Sequence, residues 1–540
     1  MPLFGLFDIG KSALFASQTA LSVTSHNIAN VNTPGYTRQD VVFKIANPEN
    51  MHAGSLGRGV TVSSIKRQYD RFIQSQLLGQ HQNYGKSFAM NQTLGQVEQV
   101  FNEAQGMGIA TALSEYLNAW NDVSANPEGY TQRVVLLQKA NALVTNAKQM
   151  ERGITDSLKR SNEEIKGIGD QINSIASQIA DINGSIVQAE SGSGSGNAND
   201  LRDQRDSLLN DLAELVDFST YEDANGAITV TVGMRSLVYG ENTNTFSTRM
   251  NTDGFREVYL AGSNITSSVQ KGKLGGLIGV RDNVTSNILH DFRKLVASLI
   301  KETNQVHSAG YGLDASTGNN FFNSLQINTS GSSDNASVTS ASITNMAALT
   351  LDEYDVTFDA ANNYFVHNRQ TGSLVTSGAY VSGGAIAFDG IQVAVSGTVN
   401  AADHFTVSPL EGAIANFGVA VSDQQKIAAS SSGSGLPGNN ANAIQIADLF
   451  NSSITDLGDT GFMDYYQGIV SNAGTLSRAA SNSLQFDDNL LAEISNRRDS
   501  VSGVSLDEEA ANLIRYQRSY EAGARMIKIT DELLQTILNL

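Results

Sequence analysis

The side chains with the most chemical potential are seven histidines, a run of three carboxylates and two glycine-rich loops. No two histidines sit in a His-Glu-x-x-His arrangement, the spacing that puts two imidazoles on one helix face for zinc, so a helical zinc protease site is excluded. Asp200, Asp203 and Asp206 share a helical face that could suit a cation, but Arg202 and Arg205 are interleaved and favour ion pairs. No Gly-x-Ser-x-Gly elbow presents a nucleophile. The stretch Gly106 to Thr111 falls short of a dinucleotide fingerprint and reads as a helix break, and Lys271-Gly272-Lys273-Leu274-Gly275-Gly276 lacks the ending of a phosphate loop and reads as a turn. Cysteine is absent, which removes disulfides and thiolate metal sites. The expectation is a non-enzyme with no catalytic residue, no metal and no cofactor.

The elements around these residues are more informative. Across 540 residues the formal net charge is -19, a field that repels a phosphate backbone and argues against nucleic acid. No apolar run reaches the roughly 18 residues needed to cross a bilayer, so membrane insertion is not expected, and the opening residues lack the positive region of a cleaved signal.

The first thirty residues read as one helix, with Phe7, Leu14, Leu21 and Ile28 at heptad spacing. Gly10, Ala13, Ser17, Ala20, Thr24 and Asn27 form a neighbouring stripe of small side chains that would let a second helix approach closely. From Ser12 to Thr37 there is no Asp, Glu, Lys or Arg, so this helix is expected to meet protein on more than one side. At the other end Leu506, Leu513, Tyr520, Ile527 and Leu534 repeat every seven residues, broadened by Ala510, Ala524 and Leu538. Ser505 is placed to cap this helix and Asp507, Glu508 and Glu509 to complement its dipole. Two heptad helices at opposite ends are expected to pair with each other or with copies of themselves.

Between them, Val41, Phe43 and Ile45, then Val60 and Val62, alternate as an extended ribbon. A three-four alternation from Leu137 to Ile186 predicts a helix of about 75 Å. A Ser/Gly tip at Ser191 to Gly196 turns it into a hairpin with Leu201, Leu208, Leu212 and Leu215. Asn225-Gly226 marks a β-hairpin, and Val284, Ile288, Leu295, Leu299 and Val306 mark a further helix. From about 324 to 410 short alternating runs rich in Ser, Thr, Asn and Gly predict an inserted β-domain with hairpin connections. The fold class is mainly α with inserted β: a terminal coiled-coil domain (1–33 and 506–540), a helical rod domain with a long helical hairpin (34–323 and 411–505) and an outer β-domain (324–410).

The segment Ser25 to Arg38, with Asn27, Ile28, Asn30, Asn32, Pro34, Gly35 and Tyr36, resembles the N-terminal signature of flagellar rod, hook and hook-associated axial proteins. Leu506 to Gln517 and Leu533 to Leu540 resemble that family's C-terminal signature. The signature is physically legible, since Asn and Thr can bond the backbone where a helix ends, Pro34 stops it and Gly35 permits the exit. Four inner segments resemble the hook-filament junction branch of the family: Tyr116 to Trp120 with Ser124 to Pro127, Asp200 to Asp206, Asn304 to His307, and Gly318 to Phe322.

The resemblance implies a structural subunit secreted by flagellar type III export and placed between hook and filament. Its implied partners are copies of itself in a ring, the hook protein, the second hook-filament junction protein, and a cytoplasmic export chaperone at the C-terminal helix. Phe7, Leu14, Leu21, Ile28, Leu513, Tyr520, Ile527 and Leu534 would then be assembly contacts. Another axial component, or a binding or catalytic role for the inserted domain, are the alternatives.

Overall fold

The computed structural model describes residues 2–51, 54–102, 108–191, 198–251, 254–333, 335–401 and 403–539. Eleven α-helices organise them: α1 (Pro2–Ala29), α2 (Arg71–Phe101), α3 (Ile109–Ala125), α4 (Tyr130–Glu190), α5 (Asn199–Leu215), α6 (Gly272–Asn283), α7 (His290–Ala309), α8 (Ala413–Asn416), α9 (Ala441–Asp448), α10 (Phe462–Ser502) and α11 (Leu506–Leu538). Among the described residues no helix is long and apolar enough to cross a membrane, and no group of His, Asp and Glu converges as a metal site.

The spine is α4, 61 residues and about 90 Å long at 1.5 Å per residue. Its apolar stripe feeds two cores in succession. Leu136, Ala140, Leu143, Ile154 and Leu158 join α3, α7, the start of α10 and the β-rich insertion, whereas Ile165, Ile168, Ile172 and Ile179 join α5, α6 and the strands between 228 and 260. Helix α5 folds back on α4 as the hairpin expected, but it is only 17 residues long, so strands cover much of the remaining stripe. Of the Ser/Gly tip, residues 192–196 lie outside the described residues, as do Gly106 and Met107 of the expected helix break.

The sheets are antiparallel. Ser219–Glu222, Ile228–Val232, Arg235–Tyr239 and Asn242–Thr243 follow in order, with Gly226 at φ +85° making the first turn. In the insertion a five-stranded sheet has the order Asn328–Ser332, His404–Ser408, Tyr354–Phe358, Asn363–Asn368, Leu374–Ala379. Its first and last strands in sequence pair with each other, Asn328 opposite Ser408, which closes the insertion at its base. A second sheet of Ala336–Ile343, Ile391–Gly397 and Ala385–Phe388 packs into the same core. The connections therefore combine hairpins with crossings between sheets.

One expectation is corrected here. Lys271 to Gly276 is not a turn: Lys271 precedes α6 and the glycines form its first turns. A Cβ at Gly276 would lie 2.5 Å from the Lys86 carbonyl oxygen of α2, and one at Gly275 2.5 Å from the Gln270 carbonyl carbon. These glycines serve close packing between backbones, which composition alone could not separate from a loop.

Helices α2 and α10 run antiparallel, fixed where Ser87 donates to Asp487 at 2.6 Å and Gln80 to the same carboxylate at 3.0 Å. Only Gly503 to Ser505 separate α10 from α11, and Ser505 caps α11 by accepting from the Glu508 N–H. This short link returns the chain to α1.

Candidate assembly surface

Helices α1 and α11 pair antiparallel, and the buried seam is made of the small stripe rather than the heptad leucines. Ala16, Ser17, Ala20, Thr24 and Asn27 are buried on α1, and Glu509, Gly523 and Thr530 on α11. At one end backbones meet: a Cβ at Gly523 would sit 3.4 Å from the Gly10 carbonyl oxygen and 3.7 Å from the Ala13 Cβ, and one at Gly10 3.0 Å from Ile527 Cγ1. At the other end the contact is polar, with the Glu509 carboxyl facing Asn27 and Thr24. Burial raises the pKa of Glu509, against the lowering influence of Asn27, Arg38 and Thr24. Asn27 and Ala13 lie two heptads apart, as do Glu509 and Gly523, so both ends report one register.

The heptad residues flank this seam. Phe7, Leu14, Leu21, Ile28, Leu513, Ile527 and Leu534 are half-buried, and Tyr520 is exposed. Further apolar side chains point outward, including Phe15, Ile514, Ile529, Leu533 and Ile537. Ala510 and Ala524 are also exposed, and the side chain of Leu538 lies outside the described residues. A pair of helices with apolar side chains on both flanks of a polar and small-residue seam leaves much of its hydrophobic surface wet.

The signature residues build the exit from α1. Asn27 acts like a strand residue, its side chain donating to the Gln39 carbonyl at 2.9 Å and accepting from the Gln39 N–H at 3.0 Å. The Tyr36 hydroxyl donates to the same Asn27 oxygen at 2.7 Å. Asn30 donates back to the His26 carbonyl at 3.0 Å, and Thr33 to Asn30 at 3.1 Å. Gly35 has φ +80°, which the turn requires, while Asn32 and Pro34 are exposed and Ile28 half-buried.

A charged joint then fastens this exit to the body. Asp203 accepts from the Thr37 N–H at 2.9 Å and its hydroxyl at 2.7 Å, and Arg67 bridges Asp203 and Asp206 at 2.7 Å each. Burial alone would lower the Arg67 pKa, but Asp206 and Asp203 hold the guanidinium above its ordinary value. Asp200 accepts from Gln39 at 2.6 Å. The arginines interleaved with these aspartates turn elsewhere, Arg202 to Glu190 and Glu222, and Arg205 to Glu222, Asn183 and the Gly226 carbonyl. Ion pairs were the right expectation for α5, but the partners come from other elements: even Arg202 and Asp206, four residues apart on one face, are drawn away from each other, to Glu190 and Glu222 and to Arg67.

Inside the body the inner motifs meet. Trp120, Phe321, Phe322 and His307 form a buried aromatic cluster, with Trp120 and Phe321 centroids 5.3 Å apart. His307 is held neutral, Nδ1 donating to the Asn319 carbonyl at 2.7 Å and Nε2 accepting from the Ala428 N–H at 2.9 Å, and burial pushes its pKa down to about 4. Arg133, also buried, donates to the carbonyls of Pro127, Gln424 and Ile427, and burial pushes its pKa down to about 10. These groups satisfy backbone and carry no free reactive atom.

Sequence reasoning did not single out Glu509 as a seam residue, nor Arg67 and Thr37 as the joint. Glu509, Tyr516, Gly523 and Thr530 share a seven-residue spacing that was there to be read, but a search for apolar repeats passes over it.

Four family models match the chain. The flagellar hook-associated protein FlgK helical domain matches residues 94–322, and the D2-like domain of flagellar hook-associated protein 1 matches 327–409. The flagella basal body rod protein model matches 7–37, and the flagellar basal body rod FlgEFG protein C-terminal model matches 498–540. Flagellar hook-associated protein 1 of Escherichia coli (strain K12) is 28% identical over 99% of both chains, and that of Bacillus subtilis (strain 168) 26% identical over 98% of this chain and 97% of its own. The solved flagellar hook junction protein FlgK from Burkholderia pseudomallei has the same fold, with a TM-score of 0.69 at 20% identity over 79% of this chain and all of that one.

Proposed function

We propose a structural role in the bacterial flagellum, on the premise that this chain belongs to the flagellar hook-associated protein 1 family. It is a subunit of the junction between hook and filament. The observation that supports assembly through its ends is the α1–α11 seam: small residues bring the two termini together while Phe15, Ile514, Ile529, Leu533 and Ile537 are left outside. Neighbouring subunits, the hook protein and the second junction protein would cover that surface, and a cytoplasmic chaperone would shield α11 before type III export. In this reading the terminal pair, the helical body and the β-rich insertion act as three domains, the last packed into a core it shares with the body. The role needs persistent packing and asks for no reactive group.

The test is Ile527→Asp, which places a carboxylate against Gly10 at the point of backbone contact. Filament attachment should be lost while the circular dichroism and unfolding midpoint of the central body stay unchanged. Normal filaments on cells carrying only this variant would refute assembly through the terminal seam.

A further inference from the structure

A groove of about 530 Å³ lies between α1 and the ribbon formed by Gln39–Ile45 and Val60–Arg67. Phe15, Ala16, Val60 and Val62 supply its apolar floor, and Lys11, Arg58 and Asp8 its rim. Phe15 is 60% exposed, with only the Lys11 ammonium over its ring at 5.9 Å among the described residues, and Ile45 beside the groove is 78% exposed. Arg58 is paired with Asp8 at 2.9 Å, which leaves the rim with a net positive charge carried by Lys11.

The chain also carries a matching ridge. Ile529, Leu533 and Ile537 on α11 are 56%, 45% and 54% exposed, and their spacing of four residues puts them on one helix face. Among them sit Asp531 and Glu532, with Lys528 beside, a net negative charge. Within one chain the ridge cannot reach the groove. Gly523 lies opposite Gly10 and Ala13, so Glu532 and Thr19 are offset by about fifteen residues along the seam, or about 22 Å.

We propose that the groove between α1 and the ribbon receives the Ile529, Leu533 and Ile537 ridge of a second copy of this chain. An amphipathic helix laid in an apolar groove is a common recognition mode, and the net charges of rim and ridge are opposite in sign. Because groove and ridge are different surfaces of one chain, the contact is head-to-tail and propagates to a closed ring or a helix of subunits. The inference rests on the assembly role above and names the surfaces that carry it between copies.

The absence of native cysteine makes the test clean. A chain carrying Thr19→Cys and Glu532→Cys, positions at the edge of groove and ridge, is assembled in cells and its hook-filament junctions are isolated and treated with a short thiol-specific crosslinker. The control carries Glu115→Cys and Lys139→Cys, a half-exposed pair on α3 and α4 whose native side chains meet at 2.9 Å, so the same crosslinker can join them within one chain. The expected result is a ladder of linked subunits for the first pair, intrachain linkage for the control, and loss of at least nine-tenths of the ladder on adding Phe15→Asp. Control linkage in junctions without any ladder overturns the groove proposal and leaves the assembly role standing. Immunogold labelling that never marks the hook-filament boundary sinks the assembly role itself. Should Thr19→Cys impair assembly, Asn47→Cys on the groove's other wall replaces it, with the same two outcomes.

Discussion

The terminal helix pair and the central body solve the same packing problem in opposite ways. In the body, Trp120, Tyr116, Phe321 and Phe322 are fully buried, and buried polar groups such as Arg133 and His307 have protein partners. In the terminal pair the fully buried positions are small or polar, and the large apolar residues stay half-exposed or exposed. Burial contributes about 25 cal/mol per Å² of apolar surface, so the body gathers its hydrophobic stabilisation within one chain while the termini leave much of theirs uncollected. The difference teaches that solitary folding and readiness for a neighbour are written into separate parts of one sequence.

The largest effect that should sharpen this contrast is in the body. Trp120→Ala should cost about 3–5 kcal/mol in urea unfolding of the full chain, as expected for a large aromatic deleted from a packed core. Leu21→Ala in the terminal pair should cost less than about 1 kcal/mol in the unassembled chain, because its side chain is only partly buried. Equal losses would erase the distinction.

Next is the joint between the two regions. Arg67→Met removes the guanidinium from Asp206 and leaves Asp203 with Thr37 alone, their side chains 13% and 7% exposed, and should loosen the ribbon by about 3 kcal/mol. Amide exchange across Gln39–Ile45 is the measurement, and it should accelerate there while the strand Ile228–Val232 keeps its protection. Acceleration in both would mean that the joint supports the whole molecule.

The next effect comes from pH and, for the His307 ring, reports on the body. His307 has a folded pKa of about 4 against an ordinary 6.5, so between these values the unfolded chain binds the extra proton. Its contribution is present above pH 6.5 and is lost as pH falls toward 4, with a slope of up to about 1.4 kcal/mol per unit. Unfolding midpoints of the chain and of His307→Asn, followed from pH 7 to 4, should converge as the acid side is approached. Parallel curves would show that the ring is not buried neutral.

The smallest expected change is Gly523→Ala. Its added methyl would find ordinary contact at 3.4 Å from the Gly10 carbonyl and should cost about 1 kcal/mol or less, whereas Gly523→Leu should separate the helices and abolish filament attachment. Filaments on cells carrying the leucine variant would mean that the seam opens without consequence.

Much of this organisation was legible in advance. The heptads, the Pro34-Gly35 break, the Ser505 cap and the long stripe of α4 are local or periodic, and periodicity translates directly into a helix face. The small stripe from Gly10 to Asn27 also pointed to a close partner helix. The Lys271 to Gly276 segment was not legible, because glycine permits a tight turn and a close helix crossing equally, and only the position of Lys86 decides between them.

By itself the sequence determined that helices occupy both ends and the long spine of the chain, where α1 stops and α11 starts, and that α1 carries a stripe of small side chains beside its heptad. Tertiary structure alone decided which stripe is inside. Small side chains let backbones approach and the Asn27–Glu509 corner fixes the register, so the leucines are turned to the flanks. It also decided that the aspartates of α5 hold Arg67 and Thr37 rather than their helical neighbours. Both outcomes depend on distances between residues far apart in the chain, and a one-dimensional pattern fixes only the directions in which side chains leave the backbone.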